Sequence, residues 1–351
     1  MILHVCNLDK FIPPFVKLIN EEFGEQNHQF WVAGSQKLKQ HPIENADNIF
    51  IARRSIVAQV FAHIRLLFMM HRAKKVILHG LFNHRVIILL ALSPWLLGRC
   101  YWVIWGGDLY SYQKTKLSLK SKINESLRKF VIKRIGHLVT YIPGDVELAR
   151  KWYGARGEYH ECLMYLSNIV SPSVLQSAEK AEHTHSGLTI LIGNSADPSN
   201  NHIEAMEKLL PYKEQDIKIY VPLSYGDQEH AKKVIDQGSR MFGDKFSPIT
   251  TFMSFDQYLS LLKGIDIAIF NHKRQQAMGN TITLLGLGKT VYMRDDVSQW
   301  DFLAGMALNI KEVRVLTLKI LTDSESLENA DKIQSFFSKG KLVHQLNKVF
   351  R

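Results

Sequence analysis

Short apolar segments alternate with amphipathic segments of helical period along nearly all of the 351 residues. Such alternation is typical of parallel sheets whose strands are joined by helices on both faces. In this doubly wound α/β architecture, ligands bind at the carboxyl ends of the strands, so the polar residues that follow a strand are the candidates for ligand contacts. The segments predicted to be strands are 2–6, 29–33, 75–79, 100–105, 137–141, 188–192, 217–221, 265–270 and 290–293.

The length of the chain indicates two domains. Residues 171–187 are rich in Ser, Glu, Lys and His and have no apolar period, as expected of a linker. We therefore expect an N-terminal domain at 1–170, a second domain at 187–325 and a C-terminal amphipathic helix within 326–351.

Basic residues exceed acidic ones, 44 to 33, which gives a net charge of +11 and favours polyanionic partners. Predicted helices at 53–75 and 114–134 combine basic residues with an apolar stripe, a pattern found in helices that lie on anionic membranes. The alternative is a solvated helix face above the domain core. Nucleic acid is disfavoured, because the nearby aromatic residues form no stacking array. The longest apolar stretch, 86–98, contains Pro94 and is too short to span a bilayer.

Cysteine and histidine usage predicts neither a disulfide framework nor a metal centre. Cys6, Cys100 and Cys162 are widely spaced and odd in number, which favours a reducing cytosol. No cluster of His, Cys or Asp has the sequence spacing of a metal site, and no serine lies in a nucleophile elbow. We therefore expect no metal and no bound cofactor.

Two segments in the second half, 189–202 and 274–289, each end a strand at glycine and small polar residues and then begin a helix. This geometry directs free backbone N–H groups and the positive end of a helix dipole at one point. Two such segments indicate a ligand with two phosphates, such as a nucleoside diphosphate. The alternative is a pair of strand–helix turns whose polar residues satisfy their own backbone.

Individual side chains in these segments have expected roles. Arg274 is suited to pair with a phosphate through its fork of donors, and Gln275 and Gln276 are suited to bind a sugar or ribose. The residues expected to surround the phosphates are Gly193, Asn194, Ser195, Ser199, Gly279, Asn280 and Thr281.

The first half offers candidates for a general base, which transfer to a hydroxyl acceptor requires. Asp108 follows a predicted strand and suits this role; the alternative is that Asp108 caps the following helix. Asp9, after the first strand, is a second candidate. His79 is a third, although a histidine at a strand end is often only a hydrogen-bonded structural residue.

Five motifs, in the same order and spacing, resemble the TDP-4-acetamido-4,6-dideoxy-D-galactose:lipid II transferases, a family that builds enterobacterial common antigen. They are HGLFN at 79–83, WVIWGGDLY at 102–110, IGNSADPSNNHI at 192–203, VPLSYG at 221–226 and RQQAMGNT at 274–281. The resemblance implies a GT-B glycosyltransferase with two Rossmann-like, doubly wound domains that face a cleft. It also implies that Pro222, Ser224 and Tyr225 contact the nucleotide.

The resemblance further implies the partners and the location. The nucleotide-sugar is expected on the second domain, and a polyprenyl-pyrophosphate-linked saccharide on the first. The protein is expected to be peripheral on the cytoplasmic face of the bacterial inner membrane. Two departures from these patterns bear on the nucleotide-sugar, the first on the ribose contact and the second on the identity of the sugar. Gln275 and Thr283 occupy positions where many GT-B enzymes have two glutamates, and Ala196 and Pro198 replace a Gly and an Arg of the family's phosphate loop. A transferase of another sugar in O-antigen or capsule assembly, or a non-catalytic membrane-surface protein, remains as an alternative.

Overall fold

A computed structural model describes residues 1–44, 46–113, 118–170 and 186–351. The chain divides into two compact units: Met1–Ser167 with Gly340–Arg351, and Asn168–Lys339. Most of the linker expected at 171–187 lies outside the described residues, as do residues 114–117 of one predicted basic helix. The tail expected to form one helix contains two, Asp323–Phe336 and Lys339–Phe350.

A sheet of seven parallel strands, counted over the described residues, forms the centre of the first unit, in the order β3-β2-β1-β4-β5-β6-β7. Strands β4 and β5 bury nearly every residue because helices cover both faces of the sheet. The order reverses between β1 and β4, so the loops after these two strands flank the crevice where such sheets bind ligands. The strands are β1 Ile2–Asn7, β2 His28–Ala33, β3 Ile49–Ile51, β4 Lys75–His79, β5 Cys100–Val103, β6 His137–Thr140 and β7 Glu158–Glu161.

Three helices of the first unit begin at short polar side chains that satisfy free backbone N–H groups. Ser55, Asn83 and Ser118 each accept such a bond in the first turn of the helix that follows. In the described ranges, no helix has the length and hydropathy needed to cross a membrane. The helices are α1 Ile12–Phe23, α2 Ile56–Arg72, α3 His84–Leu92, α4 Gly106–Leu109, α5 Leu119–Arg134 and α6 Pro143–Tyr153.

Helix α2 is attached to the sheet along one stripe. Ala62, Leu66 and Met70, spaced at one turn, are buried. The fully buried Trp31 donates from Nε1 to the Ala62 carbonyl at 3.0 Å, which gives the indole N–H the partner that burial requires. The opposite face of the helix is therefore directed away from this core.

The second unit repeats the arrangement with six parallel strands in its described part, in the order β10-β9-β8-β11-β12-β13. Here the order reverses between β8 and β11, so the loops after these strands lie side by side. The strands are β8 Leu188–Ile192, β9 Ile217–Pro222, β10 Phe246–Ile249, β11 Ile267–Phe270, β12 Thr290–Met293 and β13 Lys311–Glu312.

Helices of the second unit also begin at capping side chains. Ser254 with Gln257, and Thr322 with Glu325, form reciprocal capping boxes. The helices are α7 His202–Leu209, α8 Gln228–Phe242, α9 Phe255–Lys263, α10 Met278–Gly286, α11 Ser298–Gly305 and α12 Asp323–Phe336; the last helix of the chain, α13 Lys339–Phe350, packs with the first unit.

Candidate active site

The loop after β8 folds around a buried asparagine. Asn200 accepts from Asn194 N through Oδ1 and donates from Nδ2 to the Asp197 carbonyl, both at 2.9 Å. Gly193 has a φ of +68°, and a Cβ there would lie 2.7 Å from Asn200 Oδ1 and from His202 Nε2. Position 193 therefore requires glycine both for its backbone angle and for the close approach of these atoms.

The loop after β11 lies beside the loop after β8, because the two strands pair. Lys273 N donates to the Ser199 carbonyl at 2.9 Å. The side chain of Gln276 joins the loops: Nε2 donates to Asn194 Oδ1, and Oε1 accepts from Ser199 Oγ, both at 2.8 Å. The backbone N–H of Gln276 donates to Oε1 of the buried Gln299 at 3.0 Å. The fold thus brings the two glycine-containing segments together, with Gln276 between them.

Arg274 is held in place by the first loop. Its Nε donates to Ser199 Oγ and its Nη2 to Asp197 Oδ2, both at 3.1 Å. Burial raises the pKa of Asp197, but hydrogen bonds from Ser199 and the charge of Arg274 outweigh burial and hold the pKa below its usual value. Asp197 is therefore a carboxylate at neutral pH. Because the ion pair is partly exposed, its effect on stability is small and its importance is to position the guanidinium.

Helix α10 supplies further donors next to this arrangement. It begins after Ala277, which has a left-handed φ of +58°. The N–H groups of its first turn, including those of Gly279 and Asn280, have no carbonyl partner within the helix. Ser195 is nearly buried in the neighbouring loop, and its Oγ accepts a weak hydrogen bond from Gln276 Nε2 at 3.4 Å. Backbone donors, a helix dipole and a hydroxyl thus occur in adjoining loops, which suits an anion.

Other predicted contacts of the second segment have different placements. Asn280 Nδ2 donates to the Tyr258 hydroxyl at 2.8 Å. Thr281 is fully buried and donates from Oγ1 to the Ala277 carbonyl at 3.1 Å, so this hydroxyl is used within its own helix. Gln275 is half-buried.

The loop after β9 borders the same region. Ala196 N donates to the Tyr225 carbonyl at 2.8 Å, and the Tyr225 hydroxyl accepts from Asn194 Nδ2 at 3.3 Å. Pro222 is the last residue of β9, and Ser224 is half-buried just before Tyr225. The three residues that the resemblance implied are therefore connected to the phosphate loop through Tyr225.

Two buried histidines adjoin these loops, and sequence reasoning did not single them out. His272 follows β11 almost directly and is 1% exposed, and neither of its ring nitrogens makes a well-formed hydrogen bond to a described residue. His202 is fully buried, with Nδ1 3.2 Å from His230 Nε2. Burial, followed by the charges of Arg274 and His202, lowers the pKa of His272 to about 3. Within the described part of the chain, the Gln276 backbone is the one nearby hydrogen-bonding partner of His272, and its geometry is poor, so the neutral imidazole keeps hydrogen-bonding capacity for a ligand. In the sequence, the polar run directly after a predicted strand was the signal for this residue.

In the first unit, Asp108 is fully buried at α4. Its Oδ2 accepts from Leu81 N at 2.8 Å and from Trp102 Nε1 at 2.7 Å. Its Oδ1 accepts from Trp105 N and Leu109 N, both at 2.9 Å. Burial raises the pKa of Asp108 to about 6, although these hydrogen bonds oppose the rise. With both oxygens occupied, the carboxylate fastens α4 to the ends of β4 and β5, which is the capping role weighed above.

His79 belongs to a buried chain of hydrogen bonds across three strands. Its Nδ1 lies 2.7 Å from the Tyr165 hydroxyl and its Nε2 lies 3.1 Å from His4 Nδ1, and His4 Nε2 lies 2.9 Å from His28 Nδ1. Trp105 Nε1 donates to the Tyr165 oxygen at 3.2 Å, and each of the other links joins one donor to one acceptor according to the tautomers of the three histidines. Burial lowers the pKa of His79 to about 3. Both ring nitrogens are thus occupied in a neutral network.

Asp9 is placed differently from these two residues. It follows β1, at the reversal of strand order, and is half-exposed. Among the described residues its carboxylate makes one long hydrogen bond, from Phe11 N to Oδ1 at 3.4 Å. A small pocket opens at the same edge of the sheet, lined by Asn7, Gly80 and Asn83 among others.

Comparison with known proteins identifies the family. Residues 10–345 match the family described as 4-alpha-L-fucosyltransferase, glycosyl transferase group 56. The chain belongs to this family. The group 56 glycosyltransferase described here is therefore an enzyme, and the expectation of a glycosyltransferase is confirmed. The alternative of a non-catalytic membrane-surface protein is set aside.

Solved structures share the fold of this group 56 enzyme. The N-terminal domain of a trehalose-6-phosphate phosphatase from Candida albicans has a TM-score of 0.67 at 10% identity, covering 99% of this chain and 96% of that one. HepE of Anabaena in complex with UDP has a TM-score of 0.63 at 12% identity, covering 99% of each chain. WaaG, a glycosyltransferase involved in lipopolysaccharide biosynthesis, has a TM-score of 0.62 at 9% identity, covering 100% of this chain and 98% of that one. The predicted GT-B fold class is confirmed.

We predict that Gly193→Ala lowers the free energy of unfolding more than Gly243→Ala does. Gly243 also has a positive φ, +52°, but a Cβ there meets nothing within 4 Å. The control should lose about 1–3 kcal/mol for backbone strain alone, because its φ of +52° and ψ of −126° suit glycine. G193A should lose about 1–3 kcal/mol more, because overpacking against Asn200 and His202 adds to backbone strain. Denaturant titration measures the free energy of unfolding of both variants. Equal losses would mean that the loop accommodates the added Cβ at position 193 and would contradict the prediction.

Proposed function

We propose that this group 56 enzyme transfers 4-acetamido-4,6-dideoxy-D-galactose, or a related deoxy-amino sugar, from a TDP-sugar to a polyprenyl-pyrophosphate-linked saccharide in cell-envelope polysaccharide assembly. Two observations support the sugar class: the five motifs described above, and membership of a family described by fucosyl transfer, fucose being itself a 6-deoxygalactose. Transfer of another sugar, in O-antigen or capsule assembly, is the second candidate, because Ala196 and Pro198 depart from the family's phosphate loop.

The observation on which the donor half of the proposal rests is the pair of loops joined by Gln276. Ser195 and the first-turn N–H groups of α10 are proposed to hold the diphosphate. The N-terminus of this nine-residue helix offers free donors and a favourable dipole. UDP bound to HepE of Anabaena supports a nucleotide ligand for this fold.

Arg274 is proposed to offset the charge that grows on the departing diphosphate. In the structure its guanidinium is neutralised by Asp197 and held at Ser199 Oγ. A diphosphate in the neighbouring loops would compete for the same donors, and Arg274 needs to move only locally to pair with it. Stabilisation of the leaving group is a major source of rate enhancement in such transfers.

His272 is added to the proposed donor site. A buried neutral imidazole whose two nitrogens lack well-formed partners loses hydrogen-bonding energy unless a ligand supplies one. His272 lies two residues before Arg274, whose charge helps burial to lower the pKa of His272. We therefore assign His272 as a neutral donor to the nucleotide-sugar.

Asp9 replaces Asp108 as the proposed general base. A base must reach the acceptor hydroxyl with a free lone pair. Asp108 is fully buried with four hydrogen bonds, and His79 has both ring nitrogens occupied. Asp9 is half-exposed at the reversal of strand order, two residues after Asn7, which lines the small pocket. Only one long hydrogen bond to a described residue restrains its carboxylate.

The acceptor half of the proposal rests on the outward face of α2. Five large apolar side chains are 56–68% exposed along it, namely Val57, Val60, Phe61, Ile64 and Phe68. Exposed apolar patches of this kind mark interaction surfaces. The stripe is accompanied by basic residues, Arg53, Arg54, Arg65 and Arg72 among them. An apolar stripe within a basic rim matches an anionic lipid surface, the setting in which a lipid-linked pyrophosphate acceptor is presented.

Neighbouring helices extend the same surface. Helix α3 contacts both α2 and α5. Leu92, the last residue of α3, and Trp95, which follows the helix, are exposed. Trp95 Nε1 donates to His71 Nε2 at 3.1 Å, which ties this indole to α2. A tryptophan at such an edge suits the membrane interface. We therefore propose a peripheral location on the cytoplasmic face of the inner membrane.

The donor proposal predicts that TDP raises the thermal unfolding midpoint selectively over UDP, GDP and ADP. A ligand at one hundred times its Kd stabilises the folded state by about 2.7 kcal/mol. Arg274→Gln should reduce this shift, whereas Arg240→Gln, which removes an exposed ion pair in the same unit, should retain it. A shift with UDP or GDP instead would favour the second candidate, and no shift with any nucleotide would contradict the donor site.

The assignment of the base predicts opposite phenotypes for two carboxylates. Asp9→Asn should lower kcat roughly 10²–10⁴-fold with unfolding unchanged, because a general base contributes about this much. Asp108→Asn should lower the free energy of unfolding by about 1–3 kcal/mol, because an amide cannot accept all four buried hydrogen bonds. Wild-type kcat in D9N, with a soluble acceptor analogue, would exclude Asp9.

The membrane proposal predicts that replacing Phe61 and Phe68 together by Glu abolishes co-sedimentation with vesicles containing phosphatidylglycerol. Transfer to a soluble acceptor analogue should be unaffected. The matched control is the same double change at Phe252 and Phe255 of the second unit, which are equally exposed at 69% and 75%. Equal loss of vesicle binding in both variants, or in neither, would contradict a docking role for α2.

A further inference from the structure

A cluster of metal-ligating side chains lies at the amino-terminal ends of β6 and β7, the edge of the first sheet opposite the ligand-binding loops. His137 begins β6, and Glu158 and His160 are the first and third residues of β7. The parallel register pairs His137 with Glu158. Because residues two apart in a strand share a face, all three side chains project from the same side of the sheet.

The three ligand atoms are spaced nearly as a tetrahedral ion requires. His137 Nδ1 lies 2.9 Å from His160 Nε2, and Glu158 Oε2 lies 3.6 Å from the first nitrogen and 3.9 Å from the second. An ion with bonds of about 2.0–2.2 Å places neighbouring ligand atoms about 3.3–3.6 Å apart. Each separation in the cluster is therefore within about half an ångström of that geometry.

The imidazoles are held in position before any ion binds. The His137 ring stacks on Tyr101 with centroids 3.9 Å apart and planes 10° apart. The side chains of His137 and His160 are about one-fifth exposed, whereas that of Glu158 is mostly exposed. The exposed carboxylate beside two half-buried nitrogens leaves one side open for entry of an ion and for a water ligand.

The surrounding charges are mixed. Lys75 is the cation that opposes a bound ion; its ammonium donates to the Val349 carbonyl at 2.8 Å and lies over the Tyr101 ring. Glu158 supplies the compensating negative charge.

We propose that His137, Glu158 and His160 form a site for a divalent transition metal, Zn²⁺ in particular, with water as the fourth ligand. Two imidazoles and one carboxylate suit Zn²⁺, whereas Mg²⁺ and Ca²⁺ prefer oxygen ligands. The ion links the edge strand β7 to β6 and stabilises the sheet. It takes no part in sugar transfer, because the site lies at the end of the strands away from the loops described above.

The test is zinc binding to the purified full-length protein after chelator treatment and dialysis. We expect about one Zn²⁺ per chain, a higher thermal unfolding midpoint with Zn²⁺ than with Mg²⁺, and the visible absorption of tetrahedral Co²⁺ on substitution. Glu158→Gln, a mostly exposed change that preserves the fold, and His160→Gln should each weaken affinity at least tenfold. His344→Gln, an exposed histidine of the same unit, is the matched control.

The proposal would be overturned if the unaltered protein bound no zinc. It would also be overturned if E158Q and H160Q bound zinc as tightly as the unaltered protein does. The second result would place the ion outside the cluster of His137, Glu158 and His160. The stabilisation by TDP is measured on the same variants. Because that effect arises in the second unit, loss of zinc binding with retained TDP binding separates failure of this site from failure of the proposed transferase function.

Discussion

The pairing of β8 with β11 is the constraint on which the proposed donor site depends. These strands are hydrogen-bonded neighbours, although 74 residues lie between the end of β8 and the start of β11. Two loops that are distant in sequence therefore meet at one edge of the sheet. Gly193 allows the first loop to close on Asn200, and Gln276 then bonds to both loops. The groups proposed to bind the diphosphate are therefore positioned by the backbone and by each other, which limits the reorganisation that a ligand must induce.

The same topology serves two chemical purposes in the two units. At the carboxyl edge of the first sheet, Asp108 and His79 have their hydrogen-bonding capacity filled by neighbouring residues, so they stabilise the fold. At the equivalent edge of the second sheet, His272 is buried without well-formed partners. Burial is common to all three, and the unfilled capacity is what distinguishes a residue available to a ligand.

The sequence predicted the interior strands of both sheets and none of the four edge strands. Interior strands are covered on both faces and appear as continuous apolar runs, whereas β7 reads EYHE and β10 contains Pro248, which an edge strand tolerates. The two segments that meet at Gln276 were singled out in the sequence because glycines and polar residues follow apolar strands. The proposal of Asp9 rather than Asp108 as the general base rests on side-chain burial, and the cluster of His137 with His160 is recognised only from strand register. Neither property can be read from residue spacing.

Helix α13 has a consequence for how the protein is made. Gln345 accepts from Leu163 N through Oε1 and donates to Glu161 from Nε2, and the Phe350 ring packs against His28 and His4. The first unit is thus completed by the final residues of this sequence. During synthesis on the ribosome, the sheet of the first unit emerges first. The surface that α13 covers stays exposed until the entire second unit has been translated. A fragment ending near Ser167 would lack the same cover, so the two units are separate in structure but not in biogenesis.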